Sequence, residues 1–237
     1  MINKKWITAI LAMSIMPANG LFETPAAYFA KHNLESKKKA VKKNPESLKN
    51  KVELTLAHVR HVQAAADLAK KDSHAHRNLL ATAQKELLEY VKTLTQPEIA
   101  ALKNRSDGNK ALDYISTLYQ EDVLQKMNTY ASYELDLHDL SDPNYQTTLS
   151  ETEKQNFIHR AEDVKDRAEK AKENLDQAKT DQEQFAQATG RQTELTAQKK
   201  EQEIQWQKNE KLMAERPEFW KKQVAKLQKL RGQNDMH

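Results

Sequence analysis

FIHRAEDVKDRAEKAKENLDQAKTDQEQF, residues 157–185, is the stretch that decides how this chain folds. Within it Phe157, Ala161, Val164, Ala168, Ala171, Leu175, Ala178, Gln182 and Phe185 follow one another at spacings of four and three, and all but Gln182 are apolar. That is a heptad seam held for about four repeats, the pattern of a helix that pairs with another helix. Alanine at four positions lets a partner backbone approach closely but buries little area. At about 25 cal/mol per Å² such a pair is weakly held by itself, so the seam needs length, a second seam or an oligomer.

Working outward, Ser150 and Glu153 have capping-box spacing ahead of the seam. Gly190 should end the helix or kink it, and an end is favoured over one continuous rod because a glycine in a helix interior costs about 1 kcal/mol. Residues 193–213 continue with a poorer stripe of Leu195, Trp206 and Met213. Residues 150–215 are therefore expected to form a coiled-coil-like antiparallel helical hairpin. Pro217 should open a separate basic amphipathic helix over 217–231. It sets Phe219, Trp220, Val224, Leu227 and Leu230 against Lys221, Lys222, Lys226 and Lys229, which suits docking on the body of the chain, a protein partner or an anionic membrane surface.

Upstream, further helices have readable ends. Thr24 before Pro25 is an N-cap, opening a short helix that stops near Asn33 and gives way to a basic linker through Lys37–Lys39, Lys42 and Lys43. Residues 45–140 read as a helical bundle. Leu48, Val52, Leu56, Val59, Val62 and Ala66 form one stripe, and Leu80, Ala83, Leu87, Val91 and Leu94 form the next across a turn at Asp72 and Ser73. Thr95 and Glu98 bracket Pro97 as a capping box. Asp107 and Gly108 lie in a turn, and Leu112, Ile115, Tyr119, Val123 and Met127 make a further stripe. Ser141, Asp142, Pro143 and Asn144 are the clearest loop signal and mark the expected domain boundary.

Composition agrees with an all-α chain. Of 237 residues 38% are hydrophobic and 30% charged, with four glycines, six prolines and no cysteine. Too few turn-formers are present for a sandwich, barrel or doubly wound sheet, and disulfides, thiolate metal sites and a thiol nucleophile are excluded together. The net charge of +4 argues against a dedicated nucleic-acid binder. Its distribution says more: residues 31–51 carry +6, residues 107–163 carry −8 and residues 216–231 carry +5. Basic ends around an acidic middle favour contacts within or between protein chains.

Residues 1–20 have the layout of a secretory signal peptide. Lys4 and Lys5 precede an apolar run from Trp6 to Met16, then Pro17 and the small residues Ala18 and Gly20. A periplasmic or secreted location is expected, with the mature chain starting near Leu21.

No motif names a reaction. The glycines, at 20, 108, 190 and 232, form no phosphate loop. His58, His61, His74 and His76 have the residue types of a zinc or nickel site, but their positions along an antiparallel helix pair hold the two couples about 16 Å apart. They are expected to be exposed on a helix flank, with no metal and no cofactor. Asp136 and Asp139 are too ordinary in a charged helical chain to imply general acid and base. The expectation is a non-enzymatic helical interaction protein of the bacterial envelope, such as a secretion or conjugation apparatus accessory, adaptor or chaperone. It would bind a protein partner or its own copies through the seam. The alternatives are a translocated or intracellular scaffold acting at a membrane through the C-terminal helix and, third, a metal-dependent enzyme using the histidines.

Overall fold

Thr24 and Pro25 open the first helix as their sequence requires: the Thr24 hydroxyl accepts from the Ala27 N–H at 3.4 Å, and proline occupies the first turn. The structure is a computed structural model that describes residues 24–70 and 74–234, without the side chains of Gln155, Ile158 and residues 230–234. The expected export signal and the turn at Asp72 and Ser73 lie outside the described residues. Among those described there are nine α-helices and no strand, so the chain is all-α.

The helices are α1 (Pro25–Lys43), α2 (Leu48–Ala69), α3 (His74–Val91), α4 (Gln96–Lys103), α5 (Ser106–Ser141), α6 (Pro143–Thr148), α7 (Glu151–Gln155), α8 (Phe157–Thr189) and α9 (Gln192–Asn234). The lysine run does not form a linker, since α1 continues through it. Lys37 meets Glu53 at 3.5 Å, and Lys38 meets Glu35 at 3.1 Å and Glu86 at 3.3 Å. Two of those acids belong to other helices, so the run is held by partners that local sequence does not reveal.

The chain divides into two compact units between Leu118 and Tyr119, inside α5. The expected boundary at residues 141–144 is a loop signal of another kind: Asp142 caps α6, its carboxylate accepting from the Asn144 N–H at 2.7 Å. A short polar loop ends a helix without ending a packing unit.

In the first unit α2 lies against both α1 and α3. Sequence showed one stripe on α2; the structure buries a second face as well, including Leu54, Ala57, Ala65 and Leu68. Leu34, Leu54 and Ala57 pack with Val41 and Tyr90. The α4 capping box is present, with the Thr95 N–H donating to Glu98 at 2.8 Å. Burial pushes the Glu98 carboxyl up, but Lys51, 2.7 Å away, and the Thr95 N–H outweigh it and hold it below its ordinary value.

His58 departs from the expected exposed flank. It is buried and stacks on Tyr90 with ring centroids 4.9 Å apart. Burial, reinforced by the charge of Lys38, pushes its imidazole from 6.5 down to about 4. The folded chain thus keeps His58 neutral where the unfolded chain takes up a proton, and the unfolded state is favoured as pH falls. His58 should therefore remove stability between about pH 6.5 and pH 4, by up to about 3 kcal/mol, and none above that window. Urea melts across this range should show that slope in the native chain and lose it in His58→Phe, which can still stack on Tyr90. An equal slope in both would show that His58 does not set it.

Candidate functional site

The second unit is built on the seam. Ala168, Ala171, Leu175, Ala178, Gln182 and Phe185 are all buried, while Phe157, Ala161 and Val164 at the start of α8 are half-buried. The face is the one the heptad spacing selects. Its occupant differs from expectation: Leu175 and Ala178 pack with Val123 and Met127 of α5, flanked by Leu124, Tyr130 and Trp206. Phe185 meets Tyr119 at 5.0 Å between ring centroids. The chain covers its own seam from Ala168 to Phe185, so those residues are not a free partner-binding surface. The physical reason is the α5 stripe, Tyr119, Val123 and Met127, which needs an apolar face and finds this one.

Gly190 ends α8 in the left-handed region, at φ 69° and ψ 27°. The Arg191 N–H reaches back to the Ala186 carbonyl at 2.8 Å and the Gly190 N–H to that of Gln187 at 3.2 Å, a Schellman closure that glycine makes without steric cost. Side chains on either side of this break then meet. Lys199 pairs with Glu183 at 2.6 Å, and Gln198 and Gln202 reach Gln182.

That meeting forms a buried glutamine layer. Gln182 Nε2 donates to Gln120 Oε1 at 3.1 Å and to Gln198 Oε1 at 2.9 Å. Gln202 Nε2 donates to Gln120 Oε1 at 2.6 Å and to Gln182 Oε1 at 2.9 Å. Gln182, the one polar residue of the seam, is the sign of this layer in the sequence; Gln120, Gln198 and Gln202 gave none. Buried amides that satisfy one another pay for their desolvation only in one alignment, so the layer fixes the register of α5, α8 and α9.

A second polar fixture lies at the far end of α5. Asp139, buried, accepts from Arg216 Nε at 3.0 Å, Arg216 Nη2 at 2.6 Å and Trp220 Nε1 at 2.7 Å. Tyr145 of α6 closes on the Trp220 ring at 4.8 Å. This clamp corrects the reading of the C-terminal segment. No helix starts at Pro217; α9 runs through it. A proline inside a helix costs about 3 kcal/mol, and Arg216 and Trp220, anchored on either side, hold the helix across it. Trp220 and Val224 are half-buried, while Phe219, Lys221, Lys222 and Leu227 are exposed; the side chain of Leu230 lies outside those described.

Between the glutamine layer and the clamp lies a groove of about 440 Å³. Its base is the buried Met127, Leu175, Gln182 and Gln202, and at its side Tyr130 stacks on Trp206 with centroids 5.8 Å apart and planes 5° from parallel. The rim alternates in charge: Lys172, Asp176, Lys179 and Glu183 on α8, Lys199 and Glu203 on α9. Among the described residues Lys172, Asp176, Lys179 and Glu203 carry no ion pair. Partial burial, with a hydrogen bond to Glu134, pushes the Tyr130 phenol up to about 12, so it stays neutral and serves as a surface for packing. Stacked aromatics beside Met127 and Leu175, with buried glutamines at one end and a charged rim, have the composition of a helix-receiving groove.

Elsewhere the histidines do not assemble. His74 Nδ1 lies 3.2 Å from the Asn78 amide, and His58 is taken up by Tyr90. Among the described residues no group of three or more His, Cys, Asp or Glu is placed to hold a metal ion. Nor, among them, is any helix long and apolar enough to cross a membrane. No protein-family model matches the chain, and no curated protein or solved structure matches it.

Proposed function

We propose that this chain is a non-enzymatic helical interaction protein of the bacterial envelope or secreted space, an accessory or adaptor that receives a helix of a protein partner. The observation that carries the reading is the groove between α8 and α9. There the stacked Tyr130 and Trp206, over Met127 and Leu175, supply an apolar bed, and the rim charges outside the Lys199–Glu183 pair, Lys172, Asp176, Lys179 and Glu203, supply the edges. Aromatic anchors at the centre of a polar rim are where binding energy concentrates in protein interfaces. The seam from Ala168 to Phe185, expected to bind the partner, serves instead to build the groove.

A photo-crosslinking residue placed at Lys172 or Glu203, in chain expressed in its native host, should capture one protein species. The same residue at Glu173, exposed on α8 but outside the groove lining, should capture none, and Trp206→Ala should abolish the groove products. Equal capture from all three positions, or none from the groove, would refute the site. The envelope location rests on the order of residues 1–20 and is checked separately: mature protein should begin near Leu21 in periplasm or medium, and cytosolic chain that keeps Met1 would exclude export.

A further inference from the structure

The outer side of α9 carries a second surface that the groove does not use. Leu212, Phe219 and Leu227 are exposed at 57%, 42% and 39%, high values for large apolar side chains; they border the docked edge of α9, where Arg216 lies over the Phe219 ring at 5.0 Å and Trp220 meets it at 5.0 Å. At about 100° per residue these three fall within an arc of about 80°, and Lys208, Lys222, Lys226 and Lys229 fill about the next 60°. The two acids nearby are already answered: Glu215 faces Lys211 at 3.9 Å and Glu218 faces Lys221 at 3.7 Å. Among the described residues the four lysines carry no ion pair. The face is therefore apolar along one edge and net cationic along the other, over about 22 Å of helix.

We propose that this face docks on an anionic lipid surface, with α9 lying in the plane of the interface. Charge complementarity selects the occupant, since unpaired lysines beside exposed apolar side chains match phospholipid headgroups above acyl chains. Spacing discriminates against a protein groove. Helix-in-groove recognition uses anchors at i, i+3 or i+4, and i+7, whereas the positions between Leu212, Phe219 and Leu227 are held by Glu215, Arg216, Lys222, Gln223 and Lys226. Sparse insertion with cations between suits a fluid headgroup layer. The inference is independent of the proposed groove partner.

The test is co-sedimentation of the full chain with vesicles. Vesicles of phosphatidylcholine containing about one third phosphatidylglycerol should bind it at about 0.1 M salt and release it as salt rises. Vesicles of phosphatidylcholine alone should not bind. Lys222→Glu with Lys226→Glu and Lys229→Glu should weaken binding about a hundredfold or more. Leu212→Ser with Leu227→Ser should weaken it about tenfold. Circular dichroism melts should be unmoved in both variants, because every altered side chain is exposed. Trp206→Ala, which damages the groove, should bind the anionic vesicles as the native chain does. The proposal is overturned if the native chain ignores anionic vesicles, binds neutral ones equally well, or is unaffected by either set of substitutions. Loss of vesicle binding in Trp206→Ala alone would move the surface to the groove and overturn it too.

Discussion

Asp139→Ala should lower the stability of the second unit by about 3 kcal/mol in chemical denaturation, among the largest losses that a single truncation in this chain can cause. The carboxylate joins a three-way contact, taking two hydrogen bonds from Arg216 and one from Trp220, while the Arg216 guanidinium lies over the Trp220 ring at 5.4 Å. Its removal leaves an indole N–H and a guanidinium facing a hole. Breaking a buried ion pair costs about 3 to 5 kcal/mol because the surviving charge stays desolvated. The Arg216 side chain retains 30% of its exposure, so water can reach it and the lower end of the range applies. Replacing both partners, as Asp139→Leu with Arg216→Met, should recover most of the loss, since no unpaired charge remains. The clamp also spans Pro217, so Asp139→Ala should reduce helicity beyond that residue. A change below about 1 kcal/mol, the scale of an exposed pair, would mean that Arg216 and Trp220 do not need this carboxylate.

Gly108→Ala should destabilise the first unit by about 3 kcal/mol, opposite in sign to what a glycine inside a helix usually gives. In an unencumbered helix the exchange gains about 1 kcal/mol through helix propensity. Here an added Cβ would stand 2.2 Å from the Leu102 carbonyl oxygen and 2.9 Å from its Cα and carbonyl carbon. Those are backbone atoms at the end of α4, and that helix has little room to retreat. Leu102 is wholly buried, and Glu98 one turn earlier is tied to Lys51 and Thr95. Forced overpacking of this kind costs about 1 to 3 kcal/mol, and immovable backbone places it at the upper end. Urea denaturation of Gly108→Ala reads it directly. A stabilised variant would show that α4 and α5 approach less closely than described.

Gly108 also shows where sequence reading stops. Asp107 and Gly108 read as a turn because Asp-Gly is turn chemistry, yet the turn falls at Asn104 and Arg105 and α5 begins at Ser106. The glycine is required by a neighbouring helix, which no local pattern records. Where a residue's role is set by its own helix, the sequence was legible. Leu112, Ile115, Tyr119, Val123 and Met127 are all buried as their spacing implies, and the boxes at Thr95–Glu98 and Ser150–Glu153 both close. Where the role is set by a residue far along the chain, it was not. The lysines of α1 find Glu53 and Glu86, Asp139 finds Arg216 77 positions away, and His58 finds Tyr90. The same distinction explains the candidate site. Heptad spacing identifies the buried face of α8 but not its occupant, because the complementary stripe lies on α5, within the stretch that reads as a separate bundle. Gln182 stood out as polar in an apolar seam, though its partners Gln120, Gln198 and Gln202 follow no apolar period.

The chain occupies its own seam and leaves the neighbouring groove rim exposed at Lys172, Asp176 and Lys179. The absence of native cysteine makes thiol labelling the direct test. Ala178→Cys lies at a position 1% exposed, and Lys179→Cys lies one residue on, at the groove rim. In protein dilute enough to be monomeric by sedimentation, Lys179→Cys should react with a maleimide at once, while Ala178→Cys should stay protected until denaturant unfolds the second unit. Equal labelling of the two in the native monomer would show that the seam is open, contradicting the account.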